Sequence, residues 1–267
     1  MTLKFYTAWF CPYAHRAHIT LEHLKLPYEK IEAYDGTNKD PRLLELNPKG
    51  QVPTIEFSPE QIKDSTTLQN DHDWESLQQV KDAWVLTESL TCVELLNALS
   101  MEKKDSSSSL DLLAKPSFKA AATEFNSKIC SKFYRILANP TEEERKNAYA
   151  SFVQGIVDFL SHVQEEGFYQ SKTLTIVDIA VIPTLLRICV LDHFRPSYKL
   201  SEFMDQDCWT KFTGYMDRIK SLPAVQKSMF EDENAMIEKG KKFVAWDENR
   251  SKKTFFKVVT VEYHTIE

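Results

Sequence analysis

The feature that most limits what this chain can fold into is a strand that passes into a helix through a single cysteine. Leu3 to Thr7 reads as a short strand, Ala8 to Phe10 as a turn, and Ala14, Ala17, Leu21 and Leu24 then recur at helical spacing. Pro12 falls at the first helical position, which suits a residue without an N–H, so Cys11 lies at the helix N-terminus. Free amide groups and the positive end of the helix dipole favour a thiolate there, and the position predicts a thiol that titrates below its ordinary value of about 8.5. His15, Arg16 and His18 follow within two turns and strengthen the effect if their charge turns inward. Tyr6, four residues into the strand pattern, is expected to pack rather than react.

The same α/β pattern continues to about residue 100. Tyr28 to Ala33 resumes a strand, Pro41 to Leu46 is a short helix leading into the turn Asn47-Pro48-Lys49-Gly50, and Val52 to Phe57 is a third strand. Ser58 to Asp82 reads as polar and irregular, before a fourth strand over Ala83 to Leu86 and a helix over Glu88 to Leu99. Beyond a serine-rich, charged passage, Lys103 to Ser109, only helical periodicity remains. Phe118, Phe125, Ile129, Phe133, Ile136 and Leu137 mark one helix, and Ala148, Phe152, Ile156, Phe159 and Leu160 another that opens on a capping box, Thr141 with Glu144. A second box, Thr175 with Asp178, precedes the apolar run Ile179 to Leu191, and Trp209 to Ile219 forms a later helix stopped by Pro223. The division is therefore 1–101 as an α/β domain, 102–116 as linker and 117–267 as a helical domain, whose tail carries a strand-like segment from Phe255 to Tyr263.

Composition removes several functions. A net charge of −6 with scattered Lys and Arg offers no stripe for a phosphate backbone, so nucleic acid is not an expected partner. No apolar run reaches the roughly 18 residues of a membrane helix, and the first ten residues lack a signal-peptide plan, which points to the cytoplasm. Cys11, Cys92, Cys130, Cys189 and Cys208 are an odd, widely spaced set with neither zinc nor disulfide spacing, and the last four fall in apolar helical patterns as small buried residues. His72, between Asp71 and Asp73, has no second His or Cys nearby, so no metal is expected.

Chemistry therefore rests on Cys11. A strand, a turn and Cys-Pro opening a helix is the thioredoxin-type redox arrangement, but Ala14 stands where a second cysteine would resolve a disulfide. Such a single thiol needs an external one to release its mixed disulfide, and glutathione is the natural co-substrate.

With the segments at 47–55 (NPKGQVPTI), 86–96 (LTESLTCVELL) and 173–183 (TLTIVDIAVIP), the chain resembles the glutathione transferases, and its cysteine within CPYAHRA is similar to their omega class and to fungal omega-like enzymes. The resemblance covers most of residues 3 to 230. It implies a thioredoxin-like α/β N-terminal domain followed by an all-α domain, with glutathione in the cleft between them and a homodimer as the assembly. It implies that Cys11 is the reactive residue and that Val52, before a cis Pro53, pairs its backbone with glutathione. It further implies that Glu88 and Ser89 hold the γ-glutamyl end, that Lys39 contacts the glycine carboxylate, and that the backbone at Tyr13 faces the ligand. Phe133 and Tyr134, on the first helix after the linker, are candidates for the second-substrate site, and Thr175 with Asp178 is assigned to folding. Glutathione acts as co-substrate with no other cofactor, and the second substrate is a small hydrophobic or a disulfide or oxidised compound.

The implied activity is thioltransferase and reductase chemistry: mixed-disulfide reduction, dehydroascorbate reduction and reductive removal of glutathione from adducts. Two alternatives stand beside it, a conventional conjugating transferase and a non-enzymatic module that binds ligands or partners. The chain departs from the family between Pro53 and Glu88, where it is longer, and at its tail.

Overall fold

The computed structural model describes residues 2–69, 77–102, 111–139, 141–230 and 232–244. The serine-rich passage, the His72 loop and the strand-like tail segment lie outside them. The α/β half consists of β1 (Leu3–Thr7), α1 (Pro12–Leu24), β2 (Tyr28–Glu32), α2 (Pro41–Leu46), β3 (Thr54–Phe57), α3 (Pro59–Lys63), α4 (Thr66–Gln69), β4 (Leu77–Val80), β5 (Ala83–Leu86) and α5 (Ser89–Glu102). The strands form one sheet in the order β2-β1-β3-β5-β4. β1 runs parallel to β2, as the crossover through α1 requires, and the remaining pairs are antiparallel.

The expected strands and helices are present, with one correction. Ser58 to Asp82 is not irregular throughout. Ser58 caps α3 with a full capping box closed by Gln61, Leu68 of α4 is buried, and Leu77–Val80 adds an edge strand, so Ala83–Leu86 is the fifth strand and not the fourth. The polar sequence hid this because Gln78 and Gln79, adjacent and both exposed, break the apolar–polar alternation that marks a strand. The insertion is tied down by Glu102 at the end of α5, which accepts from the Ser65 hydroxyl at 2.6 Å and from the N–H and hydroxyl of Thr66, each also at 2.6 Å.

In the helical half, α6 (Ser117–Phe125) and α7 (Ser131–Ala138) are joined without a break by a π-helical turn at Asn126–Cys130. Then come α8 (Glu142–His162), α9 (Ile176–Leu185), α10 (Ile188–Phe194), α11 (Leu200–Phe203), α12 (Gln206–Ser221), α13 (Pro223–Ser228) and α14 (Glu233–Val244). One apolar core runs from the sheet through α1 and α5 into the bundle, with Phe5, Ile19, Leu95, Phe118, Phe152, Phe159 and Ile179 fully buried. α1 packs against α5 on the sheet side and against α9 and α13 on the helical side. It carries most of the packing between the two halves, with α5 against α9 adding to it.

Tyr6 packs as expected, donating its hydroxyl to the Glu56 carboxylate at 2.6 Å. Glu56 is also paired with Arg42 at 2.7 Å, its side chain only 8% exposed. Burial alone would raise its pKa, but Arg42 and Tyr6 outweigh burial and hold it below the ordinary carboxylate value. A lowered folded pKa contributes stability above the unfolded pKa and loses it as pH falls through the folded one. Glu56→Gln should therefore cost about 1–2 kcal/mol at neutral pH in urea titrations, and the difference from wild type should shrink as pH drops below about 4.

Candidate active site

α1 begins where β1 and its turn deliver the chain to the cleft between the two halves. Cys11 is the N-cap of α1, with extended backbone (φ −80°, ψ 118°) and Pro12 behind it. Its N–H closes the turn on the Ala8 carbonyl at 2.8 Å. The Cys11 thiol is 3.8 Å from the Val52 carbonyl, and the Val52–Pro53 peptide is cis, so the structure brings the first and second motifs together.

Burial pushes the Cys11 thiol up, against backbone N–H groups of Ala14 and Tyr13 and the charges of Arg187 and Arg16, which all favour the thiolate. This corrects the expectation of a lowered thiol. The N-terminal amides act in the predicted direction, but the loss of water around the half-buried thiol outweighs them.

His15, Arg16 and His18 all point inward, only 4%, 2% and 8% exposed. The imidazoles bring no charge near neutral pH. Burial and Arg187 hold His15 well below its ordinary pKa, and burial with Lys30 lowers His18 to about 4. Arg16 does bring one, and it reaches the third motif. Its guanidinium donates to Ser89 Oγ at 3.0 Å, to Asn126 Oδ1 at 2.7 Å and twice to the Ala180 carbonyl, at 3.0 and 2.7 Å, and it lies 5.0 Å from the centre of the Tyr13 ring. Glu88, beside Ser89, is exposed and sits at φ +65°, a left-handed conformation uncommon for a residue with a side chain and found preferentially at functional sites.

Lys39 is held beside the turn that precedes Val52. Its Nζ donates to the Lys49 carbonyl at 3.3 Å, and its stem crosses Gly50, where an added Cβ would stand 2.6 Å from Lys39 Cδ. Gly50 at φ +58° thus serves both the turn before Val52 and the path of the lysine.

Phe133 and Tyr134 are on α7, not on a separate pocket wall. They line a cavity with Phe10, Arg187, Met236 and Phe243. At about 20 Å³ it has room for about one water. α14 closes it. The Phe243 ring meets Tyr134 at 4.7 Å, Lys239 donates to the Asp35 carbonyl and lies 4.9 Å from the Phe10 ring centre, and Lys242 donates to the Gly36 carbonyl at 2.8 Å. Gly240 permits the approach, since a Cβ there would stand 2.6 Å from Val190 Cγ1 and 3.0 Å from Phe194. Gly240→Val should therefore lift α14, with the labelling of Cys11 by an aromatic maleimide several-fold faster than in wild type. An unchanged rate would mean that α14 does not govern entry.

Sequence reasoning missed α14 and Arg187. The run Ile179 to Leu191 contains a single charged residue before its end, Arg187, and that interruption was the available signal. Cys92 and Cys130 are buried as expected, whereas Cys189 and Cys208 are half-buried. Among the described residues no group of three metal-ligating side chains converges, and no helix is long and apolar enough to cross a membrane.

Comparison with known proteins bears on this geometry. Residues 10–99 match the family model for the glutathione S-transferase N-terminal domain. Pyrimidodiazepine synthase of Drosophila melanogaster is 42% identical over 55 residues, 21% of this chain and 22% of the relative. The probable glutathione S-transferase DHAR2, chloroplastic, of Oryza sativa subsp. japonica is 24% identical over 187 residues, 69% of this chain and 55% of the relative. The matches thus span about a fifth and about half of these curated relatives. Glutathione transferase Omega 1C from Trametes versicolor superposes with a TM-score of 0.66 at 22% identity, over 94% of this chain and 99% of the other. Residues 10–99 thus match the glutathione S-transferase N-terminal domain, and the chain as a whole has the glutathione transferase fold.

Proposed function

We propose that the protein is a glutathione-dependent thioltransferase that works through a Cys11–glutathione disulfide. The observation that carries this reading is the placement of Cys11 as the N-cap of α1, 3.8 Å from the Val52 carbonyl before the cis proline, with Ala14 where a resolving thiol would stand. In the first step the Cys11 thiolate attacks the glutathione sulfur of a mixed disulfide; the Cys11–glutathione bond forms, the substrate S–S bond breaks, and the substrate leaves as a thiolate that takes a proton from water. A second glutathione thiolate then attacks the glutathionyl sulfur, releasing oxidised glutathione and restoring Cys11. Each turnover converts one mixed disulfide and one glutathione into the substrate thiol and one oxidised glutathione.

In this reading the Val52 backbone pairs with glutathione, Glu88 and Ser89 receive its γ-glutamyl end, Lys39 its glycine carboxylate, and the N–H groups at Tyr13 and Ala14 hold the sulfur. The cavity beside Phe133 and Tyr134 takes the second substrate once α14 moves. The Cys11 thiolate also removes the glutathionyl sulfur from adducts of small ketones, whose carbon leaves and takes a proton, and it reduces dehydroascorbate together with one glutathione; both reactions leave the Cys11–glutathione disulfide, which a further glutathione from the reducing cytoplasm releases.

The test is intact-mass measurement after reduced protein meets oxidised glutathione. A single glutathionyl adduct mapped to Cys11 supports the reading. Binding of glutathione without any adduct would instead favour a conjugating enzyme, and the absence of both a non-enzymatic module.

A further inference from the structure

Arg187 is a buried charge with no opposite charge beside it. Only 2% exposed, it gives Nε to the Phe10 carbonyl at 3.3 Å, one terminal nitrogen to the Pro183 carbonyl at 2.7 Å and to His15 Nδ1 at 3.1 Å, and the other to the Trp9 carbonyl at 3.4 Å. Every acceptor is neutral: three backbone carbonyls and an imidazole kept uncharged by its burial and by Arg187 itself. Among the described residues, no ion pair joins Arg187 to a carboxylate within 4.0 Å. A guanidinium taken out of water in this way is costly unless an anion joins it.

Its position says which anion. Trp9 and Phe10 are the two residues before Cys11, so the hydrogen bonds fix the guanidinium to the turn that presents the thiol, and Arg187 lines the same cavity as Phe10 and Tyr134. The groups that act on Cys11 or Arg187 in this space are Tyr13 on α1, Tyr134 on α7, Arg16 on α1, Cys189 on α10 and His15 on α1. None is a carboxylate; from α14, the Glu233 carboxylate acts on Cys189, and the Lys239 ammonium lies against the Phe10 ring. Both tyrosines and Cys189 are pushed up by burial and stay neutral, which leaves the thiol of Cys11, held by two amides, as the group whose ionisation the site is built to accept.

We propose that Arg187 is the counter-ion of the Cys11 thiolate, a positioning residue oriented for that purpose by His15. His15 is held in turn. Its Nδ1 accepts from Arg187, which places its proton on Nε2, and that N–H donates to Ser228 Oγ at 3.1 Å at the end of α13. The chain from α13 through His15 to Arg187 thus aims a fixed positive charge at the start of α1 from the helical half of the molecule. Burial raises the thiol and Arg187 opposes the rise, so the charge keeps a thiolate attainable at a partly buried cysteine. This deepens the reading of Cys11 as the reactive thiol and rests on it.

The experiment is the pH profile of Cys11 alkylation by iodoacetamide, which needs no glutathione, for wild type, Arg187→Met and Arg187→Lys. Without the charge the thiol titrates higher, so Arg187→Met should react about tenfold more slowly at neutral pH and approach the wild-type rate only in alkaline solution. Arg187→Lys, which restores charge but not the fork of donors, should recover most of the rate. A Met profile that superimposes on wild type overturns the proposal, and so does a Lys variant as slow as Met, because charge would then not be the cause. If Arg187→Met does not fold, as judged by circular dichroism, the Lys variant and His15→Gln decide: Lys close to wild type with a smaller alkaline shift in His15→Gln upholds it, and the absence of either result sinks it. A wild-type protein that alkylates at Cys11 yet never forms the glutathione adduct would refute the thioltransferase reading while leaving the role of Arg187 to the alkylation profile.

Discussion

Cys11→Ser should remove disulfide reduction, lowering turnover of a glutathione mixed disulfide by at least about three orders of magnitude, because a hydroxyl titrates far above neutral pH and cannot form the disulfide intermediate. The fold should be unaffected. Serine is an excellent N-cap and is smaller than cysteine, so the thermal midpoint should match or slightly exceed wild type. Conjugation of glutathione to an electrophile should at the same time rise, since the serine hydroxyl can donate to a glutathione thiolate that is no longer consumed in a disulfide. Assaying both reactions in one preparation separates the readings. Unchanged reduction would make Cys11 incidental, and loss of both activities with glutathione still bound would mean that the hydroxyl cannot support the thiolate.

Asp178→Ala should be the most damaging substitution to stability. Asp178 is completely buried and accepts four kinds of donor: the Thr175 N–H at 3.0 Å, the Thr175 hydroxyl at 2.6 Å, the Tyr169 N–H at 3.1 Å and the Tyr215 hydroxyl at 2.9 Å. Alanine strands these donors in a space that water does not reach, and the expected loss is about 4 kcal/mol in urea unfolding. The consequence extends to the cleft, because α9 supplies the Ala180 carbonyl to Arg16 and the Pro183 carbonyl to Arg187. Burial raises the Asp178 carboxyl to about 6, with its hydrogen bonds opposing. A raised carboxyl binds its proton more tightly in the folded state, so its contribution is greatest below about pH 4 and declines as pH rises to about 6. Asp178→Asn cannot titrate, and its stability relative to wild type should improve over that interval. A loss below about 1 kcal/mol for the alanine variant would show that these bonds are replaceable.

Much of this was legible in the residues because local rules and tertiary structure agree. Cys11-Pro12 opens a helix after a strand, Pro41 to Leu46 is the expected short helix, and the Thr175–Asp178 box starts α9 where its pattern placed it. What was not legible depends on contacts far apart in sequence. The edge strand Leu77–Val80 has no pattern of its own and exists because β5 pairs with it. Lys239 and Lys242 carry no local signal of a partner, yet they end on carbonyls some two hundred positions earlier. The direction of the Cys11 thiol's shift is hidden for the same reason: helix geometry is local and visible in the sequence, whereas burial by distant parts of the chain is not.

Arg16 carries a last implication, about inheritance. It belongs to the first helix of the α/β half, yet three of its four hydrogen bonds end on Ala180 and Asn126 in the helical half. A fragment ending near residue 101 would keep the guanidinium and lose those partners, together with the apolar surface of α1 that α9 and α13 cover. The α/β half is thus not a self-sufficient module that could be lent to another protein. Gene fusions and truncations that respect the apparent boundary would still cut through one folding unit, so the two halves are expected to travel through evolution as a pair.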